Sequence, residues 1–119
     1  MSALDVAYEH GEGGAVPAAR YPEAVERAAF RTVQEALTNV RKHAPGARVR
    51  VRVGEPDGAR LLVEIRNGPA DTAAPASGLP GGGHGLVGLR ERAQSLGGTL
   101  DAHATDEGGF VVRAEFPGP

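Results

Sequence analysis

Cysteine is absent, which excludes a disulfide framework and thiolate metal sites. Tryptophan is absent too. With only three Phe and two Tyr, the core has to be built from Ala, Val, Leu and Ile. No apolar run is long enough to span a bilayer, and no charged-apolar-small signal segment opens the chain. The expected compartment is the cytoplasm, with room for membrane spans in a larger parent protein. A charge excess is also missing: 13 basic against 15 acidic side chains leave a formal net charge of −2. Nothing in that balance recruits nucleic acid or an anionic membrane.

What is abundant is glycine and proline, 18 and 9 of 119 residues. They concentrate in loops, and long loops in small domains often carry function. The length predicts one domain, residues 1–119, around a single core. Leu4 to Glu9 alternates weakly and reads as an edge strand. From Pro22 to about Ala44 one long helix is expected, with Val25, Ala29, Val33, Ala36, Leu37 and Val40 as its apolar stripe. Pro45-Gly46 stops it. Two strands follow, Ala47 to Val53 and Arg60 to Arg66, forming an antiparallel hairpin with one wet face that carries Arg48, Arg50 and Arg52. Residues 67–83 are almost all Gly, Pro, Ala, Ser and Asp, without periodicity, and read as a long loop. A second helix is expected from Gly85 or Leu86 to Leu96. A second hairpin follows, Thr99 to Thr105 and Phe110 to Phe116. This order predicts an α+β fold: a mostly antiparallel sheet covered on one face by helices.

Three constellations could carry chemistry. Glu35, Asn39 and His43 recur every four residues along the first helix, with Lys42 beside them. A carboxylate and an amide one turn apart suit Mg²⁺, which keeps several waters and shares phosphate oxygens with its substrate. The same residues would also make an ordinary solvated helix face, with bases near its C-terminus. Second, Gly81 to Gly83, His84, Gly85, Leu86, Val87, Gly88 and Leu89 run directly into a helix. Glycines let backbone approach a ligand, and the first amides of a helix lack internal partners, so the run suits a di- or triphosphate. A flexible hinge would look similar. No Gly-Lys-Ser/Thr closes a Walker loop, and no strand precedes the glycines as a dinucleotide fingerprint requires. Third, Asn67-Gly68 at a strand end could read an adenine edge or could simply be an Asn-Gly turn. The arginine strand face reads as solvated, because it lacks an aromatic platform for nucleic acid.

The order of the three is more specific than any one. Val33-Gln34-Glu35-Ala36-Leu37-Thr38-Asn39-Val40-Arg41-Lys42-His43-Ala44 closely resembles the N box of the ATP-binding catalytic domain of bacterial sensor histidine kinases. Gly83-His84-Gly85-Leu86-Val87-Gly88-Leu89-Arg90-Glu91-Arg92 is similar to the second glycine box of the nitrate-sensor and thermosensor-like subfamily. Gly97-Gly98-Thr99-Leu100 and the final Gly109-Phe110 to Pro117 fit the same pattern, so the resemblance runs from about Leu4 to Pro117.

The resemblance implies a Bergerat-type two-layer α/β sandwich that binds ATP and Mg²⁺. Asn39 would bind the metal, and Glu35 would assist metal hydration or proton transfer as the catalytic residue. Lys42 and His43 would lie near the phosphates. The amides from Gly83 through His84, Gly85, Leu86 and Val87 would cradle them, with Gly88 and Thr99 also nucleotide-binding. Asn67 and Gly68 would meet the adenine, and residues 67–83 would form the ATP lid. The family's first glycine box usually has an Asp where Asn67 stands. Its amide oxygen can still accept the adenine N–H, more weakly than a carboxylate.

The implied activity is protein-histidine kinase, with the γ-phosphoryl group passing to a histidine on a dimerising helical domain. No segment here resembles that domain, and none of the four histidines reads as its phospho-acceptor. The expected partners are therefore the parent kinase's dimerisation and histidine-phosphotransfer domain and, indirectly, a response regulator. No nucleic acid and no membrane contact are expected of this domain. Two other readings stay open: a degenerate nucleotide site serving a non-enzymatic regulator, and a stand-alone anti-sigma-factor-like serine kinase.

Overall fold

In a computed structural model, residues 5–10, 21–55, 60–69 and 84–118 are described, those at 5–10 and 84 by backbone alone. Seven elements follow in chain order: β1 (Asp5–His10), α1 (Glu23–His43), β2 (Arg48–Gly54), β3 (Arg60–Asn67), α2 (His84–Ser95), β4 (Thr99–Ala104) and β5 (Phe110–Pro117). Helix α1 begins one residue after the expected Pro22. That proline instead occupies the N-cap, in an extended conformation. Glu23 and Glu26 stand in its first turn and Arg41, Lys42 and His43 in its last, both favourable to the helix dipole. Buried Tyr21 hydrogen-bonds the Glu55 carboxylate beyond β2 and ties the start of the helix to the sheet. Helix α2 starts at His84, slightly ahead of the sequence expectation. It closes with the paired Gly98 N–H to Ala93 C=O (2.8 Å) and Gly97 N–H to Gln94 C=O (3.0 Å) bonds of a Schellman end.

The sheet runs β1-β2-β3-β5-β4. β1 is the expected edge strand and lies parallel to β2; every other pairing is antiparallel. One face is covered. Val49, Val51, Val63, Ile65, Val112, Ala114 and Phe116 form a single core with Val25, Ala28, Ala36 and Val40 of α1 and Leu86 and Ala93 of α2. The α1 stripe is centred differently from the sequence expectation. Ala28 and Thr32 are on its midline, while Ala29, Val33 and Leu37 pack at its margin. Thr32 is tolerated in the core because its hydroxyl donates to the Ala28 carbonyl at 2.8 Å.

The opposite face is less wet than a simple hairpin predicts, since Leu62, Glu64 and Val111 are buried on it. Glu64 lies between Arg52 (3.6 Å) and Arg113 (3.9 Å), and Arg113 and Arg60 both reach Glu115 (3.3 and 3.4 Å). These long side chains roof the apolar centre with their stems. At Arg52 this pairing supports the solvated-face reading of the arginine strand. Among the described residues no helix is long and apolar enough to cross a membrane.

Candidate functional site

Three element ends converge at one end of the sheet. The short Ala44 to Ala47 link drops α1 directly onto the start of β2, and Val49 of β2 pairs with Asn67 at the end of β3. Asn67 also pairs with Phe110 at the start of β5, and Phe110 with Ala104 at the end of β4. Helix α2 packs on β4 and joins it by a tight turn, so it runs back along the strand and its N-terminus returns to this same end.

Strand parity then selects side chains. Arg66 points to the open face, whereas Asn67 shares the helix-facing row of Val63 and Ile65 and is buried. Its Nδ2 donates to the Gly68 carbonyl at 2.8 Å, leaving Oδ1 as acceptor. Gly68 is held in turn by its N–H to the Arg48 carbonyl at 2.9 Å.

On α1, Glu35 and Asn39 are half-buried, Lys42 is exposed, and His43 is half-buried with its Nε2 shielded from solvent. The Glu35 carboxylate rests directly on Gly85 in the first turn of α2. A Cβ at that position would overlap the carboxyl carbon and Oε2, and would stand 2.9 Å from Oε1. A side chain at this position would push the Glu35 carboxylate aside; as it stands, the contact brings together two sequence motifs fifty positions apart. Glu35 also lines a cleft of about 350 Å³ between the helices, together with Arg27, Arg31, Gly85, Gly88 and Arg92 among others.

Not every expected residue joins the group. The Leu86 side chain is core, so only its backbone is left for a ligand, and Val87 is exposed. Gly88 lines the cleft. Thr99 stands apart: it pairs with Glu115, five pairings from Ala104 and so roughly 17 Å along the strand. The structure does not bring it to the others. Gly83, the side chain of His84 and all of the expected lid beyond Pro69 lie outside the described residues.

No cluster of three or more His, Asp or Glu exists among the described residues. The donor set that fits a metal is the Glu35 and Asn39 pair, two oxygens one helical turn apart, which suits Mg²⁺ shared with phosphate. The three cleft arginines escaped the sequence reading, although Arg27, Arg31 and Glu35 share the same four-residue spacing that singled out Glu35, Asn39 and His43.

A family model described as histidine kinase-, DNA gyrase B- and HSP90-like ATPase matches residues 24–119. The signal transduction histidine-protein kinase/phosphatase DegS of Brevibacillus brevis is 37% identical over 98 residues, covering 82% of this chain and 25% of its own. UhpB of Salmonella typhimurium, with the same description, is 40% identical over 80 residues, 64% of this chain and 14% of its own. The chain thus spans a quarter or less of these relatives. The ATP-binding domain of PrrB from Mycobacterium tuberculosis shares the fold with a TM-score of 0.58 at 24% identity, covering 98% of this chain and 81% of that one.

Proposed function

Because the chain belongs to the histidine kinase-, DNA gyrase B- and HSP90-like ATPase family, we propose that it is the Mg-ATP-binding catalytic domain of a two-component sensor histidine kinase. It would donate the ATP γ-phosphoryl group to a histidine on a separate helical domain. The observation that carries this reading is the seating of Glu35 against Gly85, which unites the α1 motif with the glycine run that opens α2.

Asn67 accepts from the adenine amino group through Oδ1. The first amides of α2, from His84 to Val87, lack helical partners and would face the phosphates together with that of Gly83. Lys42, at the C-terminal end of α1, adds positive charge beside them, and His43 adds an imidazole next to it. Asn39 would hold Mg²⁺, which would supply charge neutralisation for the phosphate oxygens. Glu35, its carboxylate set beside Gly85, would assist hydration at the metal site or accept a proton. As in phosphoryl transfer generally, the protein's contribution is positioning and charge stabilisation. The acceptor domain approaches over the arginine cleft that Glu35 also lines. A response regulator then takes the phosphoryl group from that domain, and the use of ATP places this work in the cytoplasm.

Calorimetric titration of ATP with and without Mg²⁺, on the 119-residue chain and on Asn39→Ala, tests the reading. The chain is expected to bind saturably and more tightly with Mg²⁺. The variant should lose the Mg²⁺ enhancement while melting at an unchanged temperature. An intact Mg²⁺ response in the variant would remove Asn39 from the metal. No binding at millimolar ATP would shift the reading to a partner-binding regulator with a degenerate site.

A further inference from the structure

Phe110 is the one aromatic residue among those described that stands beside Asn67, and the nucleotide reading above makes no use of it. It opens β5 and is paired directly across from Asn67. Directly paired residues share a face, with Cβ atoms roughly 4.5–5.5 Å apart. Phe110 therefore belongs to the helix-facing row continued by Val112, Ala114 and Phe116. Those three are buried, whereas Phe110 packs against the core on one side and stays half-open on the other.

Its placement is enforced by the preceding residue. A Cβ at Gly109 would meet the Asn67 carbonyl carbon at 3.0 Å and the Gly68 Cα at 3.1 Å, so the start of β5 is pressed onto Asn67-Gly68. The Gly109 N–H donates to Thr105 Oγ1 at 3.0 Å, which holds the turn in that position. The other two phenylalanines are accounted for elsewhere: Phe116 is in the core and Phe30 is exposed on α1.

We propose that Phe110 is a base-contacting residue that lays its ring against the purine whose edge Asn67 reads. The proposal rests on the nucleotide reading above and adds a second recognition element to the same site. Asn67 offers a neutral amide whose Oδ1 is an acceptor, while its Nδ2 already donates to Gly68. Such an edge contact distinguishes an adenine amino group from a guanine carbonyl, but binds more weakly than a carboxylate would. A ring contact strengthens binding through the face of the base, which all purines share. Edge and face are therefore separable: Phe110 sets affinity for the base, and Asn67 sets which purine is preferred.

The test measures Mg-ATP, Mg-GTP and inorganic tripolyphosphate binding to the chain, to Phe110→Ala and to Phe110→Leu, with thermal melting of each. Phe110→Ala is expected to weaken ATP and GTP about tenfold and equally, in line with base–aromatic contacts measured by alanine substitution. Phe110→Leu, which keeps the apolar volume, should lose about threefold. Tripolyphosphate, which has no base, should bind all three alike. If ATP and tripolyphosphate weaken together, Phe110 is a packing residue and the proposal is wrong. Wild-type ATP affinity in Phe110→Leu overturns it also, even if the alanine variant fails to fold. Failure of the unaltered chain to bind ATP defeats the nucleotide reading itself and is seen before any variant is made.

Discussion

Asn67 is buried, and its amide nitrogen donates to the Gly68 carbonyl, which fixes Oδ1 as the acceptor it can present to a ligand. Asn67→Asp puts a carboxylate in that place. An ionised acceptor binds an N–H roughly twice as strongly as a neutral one, so ATP affinity should rise about tenfold in a titration. Without nucleotide the same change buries a charge beside the Gly68 carbonyl and removes a donor, so the free protein should melt several degrees lower. Equal or weaker ATP binding would take Asn67 away from the adenine. The sequence could nominate Asn67 from its strand-end position and the glycine after it. It could not say that Asn67 rather than Arg66 faces the helices, because that depends on the register with β2 and β5.

At the level of elements, β3 is the central brace of the fold. It pairs with β2 on one side and β5 on the other, and α1 lies across it. Val63 and Ile65 are fully enclosed in consequence. Ile65→Ala should destabilise the protein by about 2–5 kcal/mol, the range for truncating a buried isoleucine, as read from urea unfolding. A much smaller loss would mean that the helices close over the gap. Alternation made the inward row of β3 readable from sequence. The burial of Glu64 on the other face was not readable, because it accompanies ion pairs with arginines on the two neighbouring strands. Helix α1 shows a similar limit. Its amphipathic period was plain, yet its midline passes through Thr32, a polar residue whose hydroxyl is satisfied inside its own helix.

At the scale of the whole molecule, the two helices frame a cleft lined by three arginines and one carboxylate. If the phospho-acceptor domain docks there, Arg31→Glu should leave Mg-ATP affinity unchanged and slow phosphoryl transfer to a supplied acceptor domain at least tenfold, measured with radiolabelled ATP. Equal transfer rates would place the docking surface elsewhere. The cleft has no signature in any single segment, since its walls come from α1 and α2, which are separated in the chain by about forty residues that include β2 and β3.

The sequence by itself determined the number, kind and order of the elements, because hydrophobic period and turn chemistry are local properties. It also determined the family, because the two motif-bearing helices keep their spacing and order along the chain. Only the tertiary structure decided which residues meet. The β1-β2-β3-β5-β4 order places three element ends together, seats Glu35 on Gly85, sets Phe110 beside Asn67, and leaves Thr99 at the far end of β4. The reason is physical. Those meetings depend on non-local strand pairing and on close backbone approach, and neither leaves a periodic trace in the residues that take part.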